Sequence, residues 1–243
     1  MEEKKIRINK FLSEAGYCSR RKADELIEQN RVKINGIVPE KGTKISSSDK
    51  IEVNGKEIKG VKKVHTYIAF NKPPGIVCTT DQKREKDNII AYIGHPERIF
   101  PIGRLDKPSE GLILLTSDGD IVNKILRARN SHEKEYIVTV NKPITKEFIS
   151  RMQNGIPILG TVTRKCKIKK EGSHIFKIIL TQGLNRQIRR MCEYLGYKVT
   201  FLKRVRIMNI SLDVEKGKWR NLTTKELKEI EKIVANSSKT YKS

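Results

Sequence analysis

The apolar runs of this chain are short, and several are joined by connections too brief for a helical crossover. Strand-type runs stand at 67–70, 76–78, 112–115, 136–140, 175–180, 199–202 and 207–212, the first two divided only by the turn Lys72-Pro73-Pro74-Gly75. Parallel neighbours need a dozen or more residues of crossover, whereas antiparallel neighbours need only a turn. Helices interrupt the series irregularly. Ser117-Asp118-Gly119 opens one bearing Ile121, Val122 and Ile125, and Phe148, Ile149 and Met152 mark a second. Ile188, Met191, Cys192 and Leu195 share one face of a third over 185–195. Thr223 and Glu226 form a capping box for a last helix carrying Leu227, Ile230 and Val234. The class expected is α+β: a mixed, mainly antiparallel sheet with flanking helices, rather than a doubly wound parallel fold.

A smaller unit precedes it. Ile8, Phe11, Leu12 and Ala15 recur at helical spacing and stop near Gly16. Ser19 is placed to cap a second helix with the apolar face Ala23, Leu26 and Ile27, and Asn30 is a plausible stop. Short apolar pairs follow, Val32/Ile34 and Ile51/Val53, with Asn35-Gly36 and Asn54-Gly55 as hairpin-type turns. The organisation expected is a unit over 1–60, a connection over 61–66, a larger domain over 67–235 and a disordered tail over 236–243.

Charge constrains what such a chain binds. Its 51 Lys and Arg against 28 Asp and Glu leave a net +23, which points to a polyanionic partner, nucleic acid ahead of membrane. Residues 1–60 carry 14 basic and 10 acidic side chains, so most of the excess lies beyond them. It gathers in Arg164, Lys165, Lys167, Lys169 and Lys170, and again in Arg186, Arg189, Arg190, Lys198, Lys203, Arg204 and Arg206. A solvated basic surface is the plainer reading; the clustering favours a phosphate-binding one. No apolar run approaches the ~20 residues that span a bilayer, and the start MEEKKIRINK has no apolar segment of a secretory signal. Cys18, Cys78, Cys166 and Cys192 are scattered, as are the four histidines, so neither disulfides nor a metal site is expected. A cytoplasmic protein without metal or cofactor is the expectation.

Three constellations carry possible chemistry. Asp106 sits in Gly103-Arg104-Leu105-Asp106, between cations and before a buried run; it is either an ordinary turn residue or a nucleophile held ionised. In Asn185-Arg186-Gln187-Ile188-Arg189-Arg190-Met191, three arginines at a helix start oppose the helix dipole by roughly 0.3–1 kcal/mol each. Either a surface helix tolerates them, or they face an anion such as a phosphate or Asp106. Tyr136 is either a core residue of its strand or a stacking plate for a flipped base.

RINKFLSEAGYCSRRKADELI followed by RVKINGIV resembles the RNA-binding module named after small-subunit ribosomal protein S-four, over most of residues 6–58. That likeness implies phosphate contacts from Arg7, Lys10, Arg20, Arg21 and Lys22. GRLD, KEY at a strand start, NRQIRRM followed by LKRVRI, and the KPPG turn together resemble pseudouridine synthases of the RsuA type, over about 6–228. HEKEYIVTVNKPITKEFI and GIPILGTVTRKCKIKK look most like the large-ribosomal-subunit branch F of that family. The resemblance implies that Asp106 is the essential aspartate that detaches uracil from ribose, that Arg189 pairs with it, and that Tyr136 stacks on the base. It further implies Leu202 as a pocket residue, with Arg104, Arg186, Gln187 and Arg190 on the substrate. The implied substrate is large-subunit ribosomal RNA, with a transfer-RNA anticodon stem as a second target. With no heptad and no large exposed apolar run, a monomer is expected. A non-catalytic RNA-binding or ribosome-assembly protein would use the same basic surfaces. A methyltransferase would need a Gly-rich cofactor loop after a strand, and none is present.

RNA affinity should therefore fall steeply with salt. A surface engaging roughly six to ten phosphates loses about 10³–10⁵ in affinity between 50 and 200 mM salt. A filter-binding series with a slope near zero would contradict the reading of both basic clusters.

Overall fold

A computed structural model describes residues 5–59, 64–81, 84–127, 130–235 and 237, and the chain divides into two compact units, Met1–His65 and Thr66–Ser243. Residues 61–63 of the connection expected over 61–66, and all of the tail expected over 236–243 except Ser237, lie outside the described residues.

The first unit runs β1 (Ile6–Arg7), α1 (Ile8–Glu14), α2 (Arg20–Glu28), β2 (Val32–Ile34), β3 (Lys44–Ile45), β4 (Ile51–Val53) and β5 (Lys56–Glu57). Ile8 and Leu12 of α1 and Ala23, Leu26 and Ile27 of α2 close on Val32, Ile45, Ile51 and Val53 in one small core. Ser19 Oγ accepts the Lys22 N–H at 3.1 Å and so caps α2. Asn54-Gly55, both at positive φ, turn β4 into β5. The β1–β3 pair escapes the sequence pattern because each strand is only two residues long.

The second unit runs β6 (Tyr67–Lys72), α3 (Ile89–Ile93), β7 (Phe100–Ile102), β8 (Glu110–Thr116), α4 (Gly119–Leu126), β9 (Lys134–Val140), α5 (Lys146–Asn154), β10 (Pro157–Ile158), β11 (Thr161–Val162), β12 (Lys167–Lys170), β13 (Ile175–Leu180), α6 (Gln187–Tyr194), β14 (Val199–Ile207), β15 (Ile210–Ser211), β16 (Trp219–Asn221) and α7 (Thr224–Val234). The main sheet has the order β12-β13-β9-β14-β8-β6-β16, with β7 also on β8 and β15 on β14. Among the described strand pairings of this sheet only β8–β14 is parallel, so the sheet is mixed and mainly antiparallel. Both faces of β8 are buried. Ile113 and Leu115 join the core under α5 and α6, while Leu112 and Leu114 join the core under α4 and α7. The capping box of α7 forms, Thr223 Oγ1 accepting Glu226 N–H and the Glu226 carboxylate accepting Thr223 N–H.

Two strand expectations change. The run 76–78 makes only an isolated bridge, Val77 to Asn88, because the buried Lys72 amine gathers the Pro73 and Ile76 carbonyls and curls the chain. The runs 199–202 and 207–212 are not split at the basic residues between them; only Ile210–Ser211 of the second forms a separate strand, β15. One nine-residue strand, β14, passes through those residues, since the Arg204 guanidinium takes the Leu112 carbonyl and Arg206 takes Glu133 and Glu135.

At the parallel seam Gly111 has φ +106, and a Cβ there would lie 2.3 Å from the Arg204 carbonyl oxygen and 2.7 Å from its nitrogen. Gly111→Ala should therefore destabilise the second unit by at least about 1–3 kcal/mol, read by urea unfolding. An unchanged midpoint would show that the seam is not tight.

Candidate active site

The loop joining β7 to β8 carries Asp106 and is fixed from below. Lys72, fully buried, donates from Nζ to the carbonyls of Pro73 at 2.8 Å, Ile76 at 2.9 Å and Lys107 at 3.4 Å. Gly75 N–H also donates to Lys107 O at 2.8 Å, tying the KPPG turn to the loop. Burial lowers the Lys72 pKa, and nearby Cys78, Asp106 and Glu110 act against that shift. Ser109 N–H closes the turn onto the Asp106 carbonyl at 3.0 Å. The Asp106 side chain is one-third exposed and faces Arg189, whose Nε lies 3.8 Å from Oδ2.

Arg189 is anchored independently of that carboxylate. Its Nη1 donates to Val199 O at 3.2 Å and its Nη2 to Ser109 Oγ at 3.1 Å. Burial lowers its pKa, the charge of Arg186 adds to the effect, and Asp106 opposes it. Buried Nε makes no hydrogen bond, so Asp106 is paired by charge across a short gap rather than locked in a fork. The carboxylate stays available to a third group.

The floor follows from strand register. Tyr136 sits opposite Arg204 on β14, and Lys134 opposite Leu180 on β13; alternation puts Lys134 and Tyr136 on the same face. Arg204 is 3% exposed, donates from Nε to Leu112 O at 2.6 Å and from Nη1 to Arg104 O at 3.4 Å, and its Cζ lies 6.0 Å from the Tyr136 ring centroid. Together these groups line a cleft of about 370 Å³, walled on one side by the Asp106 loop and on the other by residues 182–189. That volume suits one nucleotide-sized group.

The cleft brings together Asp106, Arg189, Tyr136, Leu202, Arg104, Arg186 and Gln187. Tyr136 and Leu202 are also core residues, 9% and 6% exposed, so the tyrosine serves both as packing and as cleft floor. Gln187 is buried in the wall, its Oε1 accepting Leu184 N–H at 3.0 Å. Arg186 is exposed at the mouth in a left-handed conformation, φ 49, immediately before α6. The expected stripe of three arginines is corrected here. Arg190 does not line the cleft, because its guanidinium is tied back to Asn185 O at 3.1 Å and Asn185 Oδ1 at 3.3 Å. The second basic cluster is likewise thinner on the surface than its count implies, with Arg204 buried and Arg206 held by Glu133 at 2.9 Å and Glu135 at 2.8 Å.

In the first unit Arg7, Arg20, Arg21 and Lys22 are exposed, the last three in the first turn of α2. Lys10 is half-buried and pairs with Glu14 at 3.3 Å, and Lys22 pairs with Glu25 at 2.8 Å. Sequence reasoning did not single out Lys72, Ser109 or Lys134, nor the inward role of Arg204. The available signal was a cation on the apolar face of a strand: Lys134 stands two residues before Tyr136, in phase with it.

Comparison with known proteins agrees with this arrangement. A family model for RNA pseudouridylate synthase matches residues 66–194, and one for the S4 domain matches residues 6–51. The chain is 54% identical over 244 residues to the Dual-specificity RNA pseudouridine synthase RluF of Escherichia coli strain K12, covering 100% of this chain and 84% of that one. It is 34% identical to the Ribosomal large subunit pseudouridine synthase B of Bacillus subtilis, over 97% of this chain and 99% of that one. A crystal structure of a pseudouridylate synthase superimposes with a TM-score of 0.68 at 30% identity, covering 93% of this chain and 99% of that one.

Proposed function

Because the chain belongs to the RNA pseudouridine synthase family, of the RsuA type, and so isomerises uridine in RNA, we propose that Asp106 is its reacting carboxylate and Tyr136 its base platform. The observation that carries this reading is the single cleft in which a carboxylate faces an aromatic floor and is paired with a buried arginine. Arg189 pairs with the Asp106 carboxylate across a 3.8 Å gap and leaves its oxygens free to act. The carboxylate opens the N1–C1′ bond as nucleophile or base, the uracil turns while stacked on Tyr136, and C5 rejoins C1′. Overall the bonds are exchanged without net oxidation and without a group donor. Leu202 supplies apolar packing beside the ring, and Arg104 and Arg186 at the mouth are placed for the phosphates flanking a flipped nucleotide.

The substrate we infer is a structured segment of 23S ribosomal RNA, with a transfer-RNA anticodon stem as second target. The B. subtilis relative is named for the large ribosomal subunit, and the E. coli relative is named dual-specificity. Arg7, Lys10, Arg20, Arg21 and Lys22 of the S4 unit would hold the RNA backbone, with Gln187 shaping the cleft wall and Arg190, outside the cleft, bracing Asn185 beside it. The protein would act as a cytoplasmic monomer. Among the described residues no helix is long and apolar enough to cross a membrane.

Asp106→Asn should abolish tritium release from RNA labelled at uridine C5 while leaving RNA affinity nearly intact, because the amide keeps the size and loses the charge. Turnover comparable to wild type would remove Asp106 from the mechanism. Tyr136→Phe should be milder than Tyr136→Ala, since a stacking plate needs its ring, worth roughly 1–3 kcal/mol. Equal loss in both would indicate that the hydroxyl acts instead.

A further inference from the structure

Lys134 is a cation that the fold does not use. Its ammonium lines the cleft and donates to His132 O at 3.3 Å, a neutral acceptor. The carboxylates next to it in sequence, Glu133 and Glu135, fall on the opposite face of β9 and are held by Arg206. Across from it on β13 stands Leu180, and the charged group that acts on it is Arg204, itself a cation. Arg204 keeps one buried nitrogen, Nη2, without any hydrogen-bond partner. Asp106, Arg104, Arg186 and Arg189 complete the charged lining, so cations outnumber the single aspartate. Two adjacent part-desolvated cations without a carboxylate oppose folding. An anion that arrives only with the substrate removes that penalty.

The position says which anion. Arg104 and Arg186 are exposed at the mouth, where a phosphate passes, whereas Lys134 lies in the floor two residues from Tyr136 along the same strand face. We propose that Lys134 donates a hydrogen bond to a carbonyl oxygen of the target uracil and holds the negative charge that the base acquires when it leaves the ribose. The proposal rests on the reading that the base stacks on Tyr136. When the N1–C1′ bond breaks, its electron pair departs with the base and spreads over N1 and the two carbonyl oxygens. When C5 bonds to C1′ the charge is discharged; the C5 proton is then lost to solvent and N1 takes one up, so that a C5–H is exchanged for an N1–H. An ammonium beside the ring favours the charged stage over the neutral ones at either end.

Burial, with the charge of Arg204 adding to it, pushes the Lys134 pKa down to about 8. His132, also facing it, is lowered by burial and so stays neutral at that pH. If the charged form is required, kcat/KM, which reports the free enzyme, falls as pH rises through about 8.

The test is the pH profile of kcat/KM by C5 tritium release for wild type, Lys134→Met and Lys134→Arg, together with RNA affinity by filter binding. The wild type should lose activity above about pH 8. Lys134→Met should lower the single-turnover rate by roughly 10²–10³, the loss typical of one missing donor at a developing anion, with RNA affinity little changed. Lys134→Arg should keep more of the rate and move the alkaline limb to higher pH, since its cation does not titrate there. A wild-type rate that rises through pH 8 would overturn the proposal by making the neutral amine a base. So would a Met variant whose affinity falls as far as its rate, the mark of a phosphate hold, or an Arg variant with the wild-type limb. Failure of the stacking reading shows separately, as full turnover by Tyr136→Ala.

Discussion

The approach of β8 to β14 is the constraint on which the site depends. It is the single parallel strand pairing among those described, and it is possible because Gly111 presents no side chain to the Arg204 backbone. Through it the loop before β8 is carried over the end of β14, and Asp106 comes to face a floor drawn from β9 and β14. Arg204 fastens the same seam from within, its guanidinium taking the carbonyls of Leu112 on the strand and Arg104 on the loop. Lys72 does the equivalent work on the other flank, gathering the KPPG turn and the Lys107 carbonyl. The Asp106 loop is thus held by two buried cations that bond to backbone oxygens rather than to acids.

That choice of partner explains the electrostatics of the cleft. A carbonyl, unlike a carboxylate, brings no opposing net charge, so Lys72, Arg189 and Arg204 surround Asp106 with cations without occupying its oxygens. Arg189 is the nearest of them, and its own anchors, Val199 O and Ser109 Oγ, hold it in place whether or not the carboxylate is present. An aspartate on a rigid loop among such cations suits the role proposed for Asp106, a reacting group held in place before the substrate arrives. The exposed lysines and arginines beyond the cleft are proposed to serve a different purpose, attraction and capture of RNA.

Much of this was legible in the sequence, for identifiable reasons. Helices announced themselves by spacing and caps, as Ser19, Asp118 and Thr223 show. The core of β8 was a run of leucine and isoleucine that nothing but a doubly buried strand explains. The short motifs around Asp106, Tyr136 and Arg189 stood far apart in the chain, yet each marked a wall of one cleft. What stayed hidden was polar structure. The edge strands Lys167–Lys170 and Trp219–Asn221 carry charged or mixed side chains because edges face water. In β14 the basic residues looked like a break, because sequence alone did not show that Leu112 and Glu135 supply their partners. Arg204 was counted with a basic cluster, and Lys134 passed over, for the same reason: burial is a property of register, and register appears only with the fold.

The central claim is that one flipped uridine sits between Asp106 and Tyr136. A crystal structure with RNA in which the converted uridine is replaced by 5-fluorouridine tests it most directly. The pyrimidine ring should lie flat on the Tyr136 ring, with ribose C1′ about 3–3.5 Å from an Asp106 carboxylate oxygen, the separation of a near-attack arrangement. A nucleotide still stacked in its helix, or one flipped into a site that Asp106 does not reach, would contradict the account.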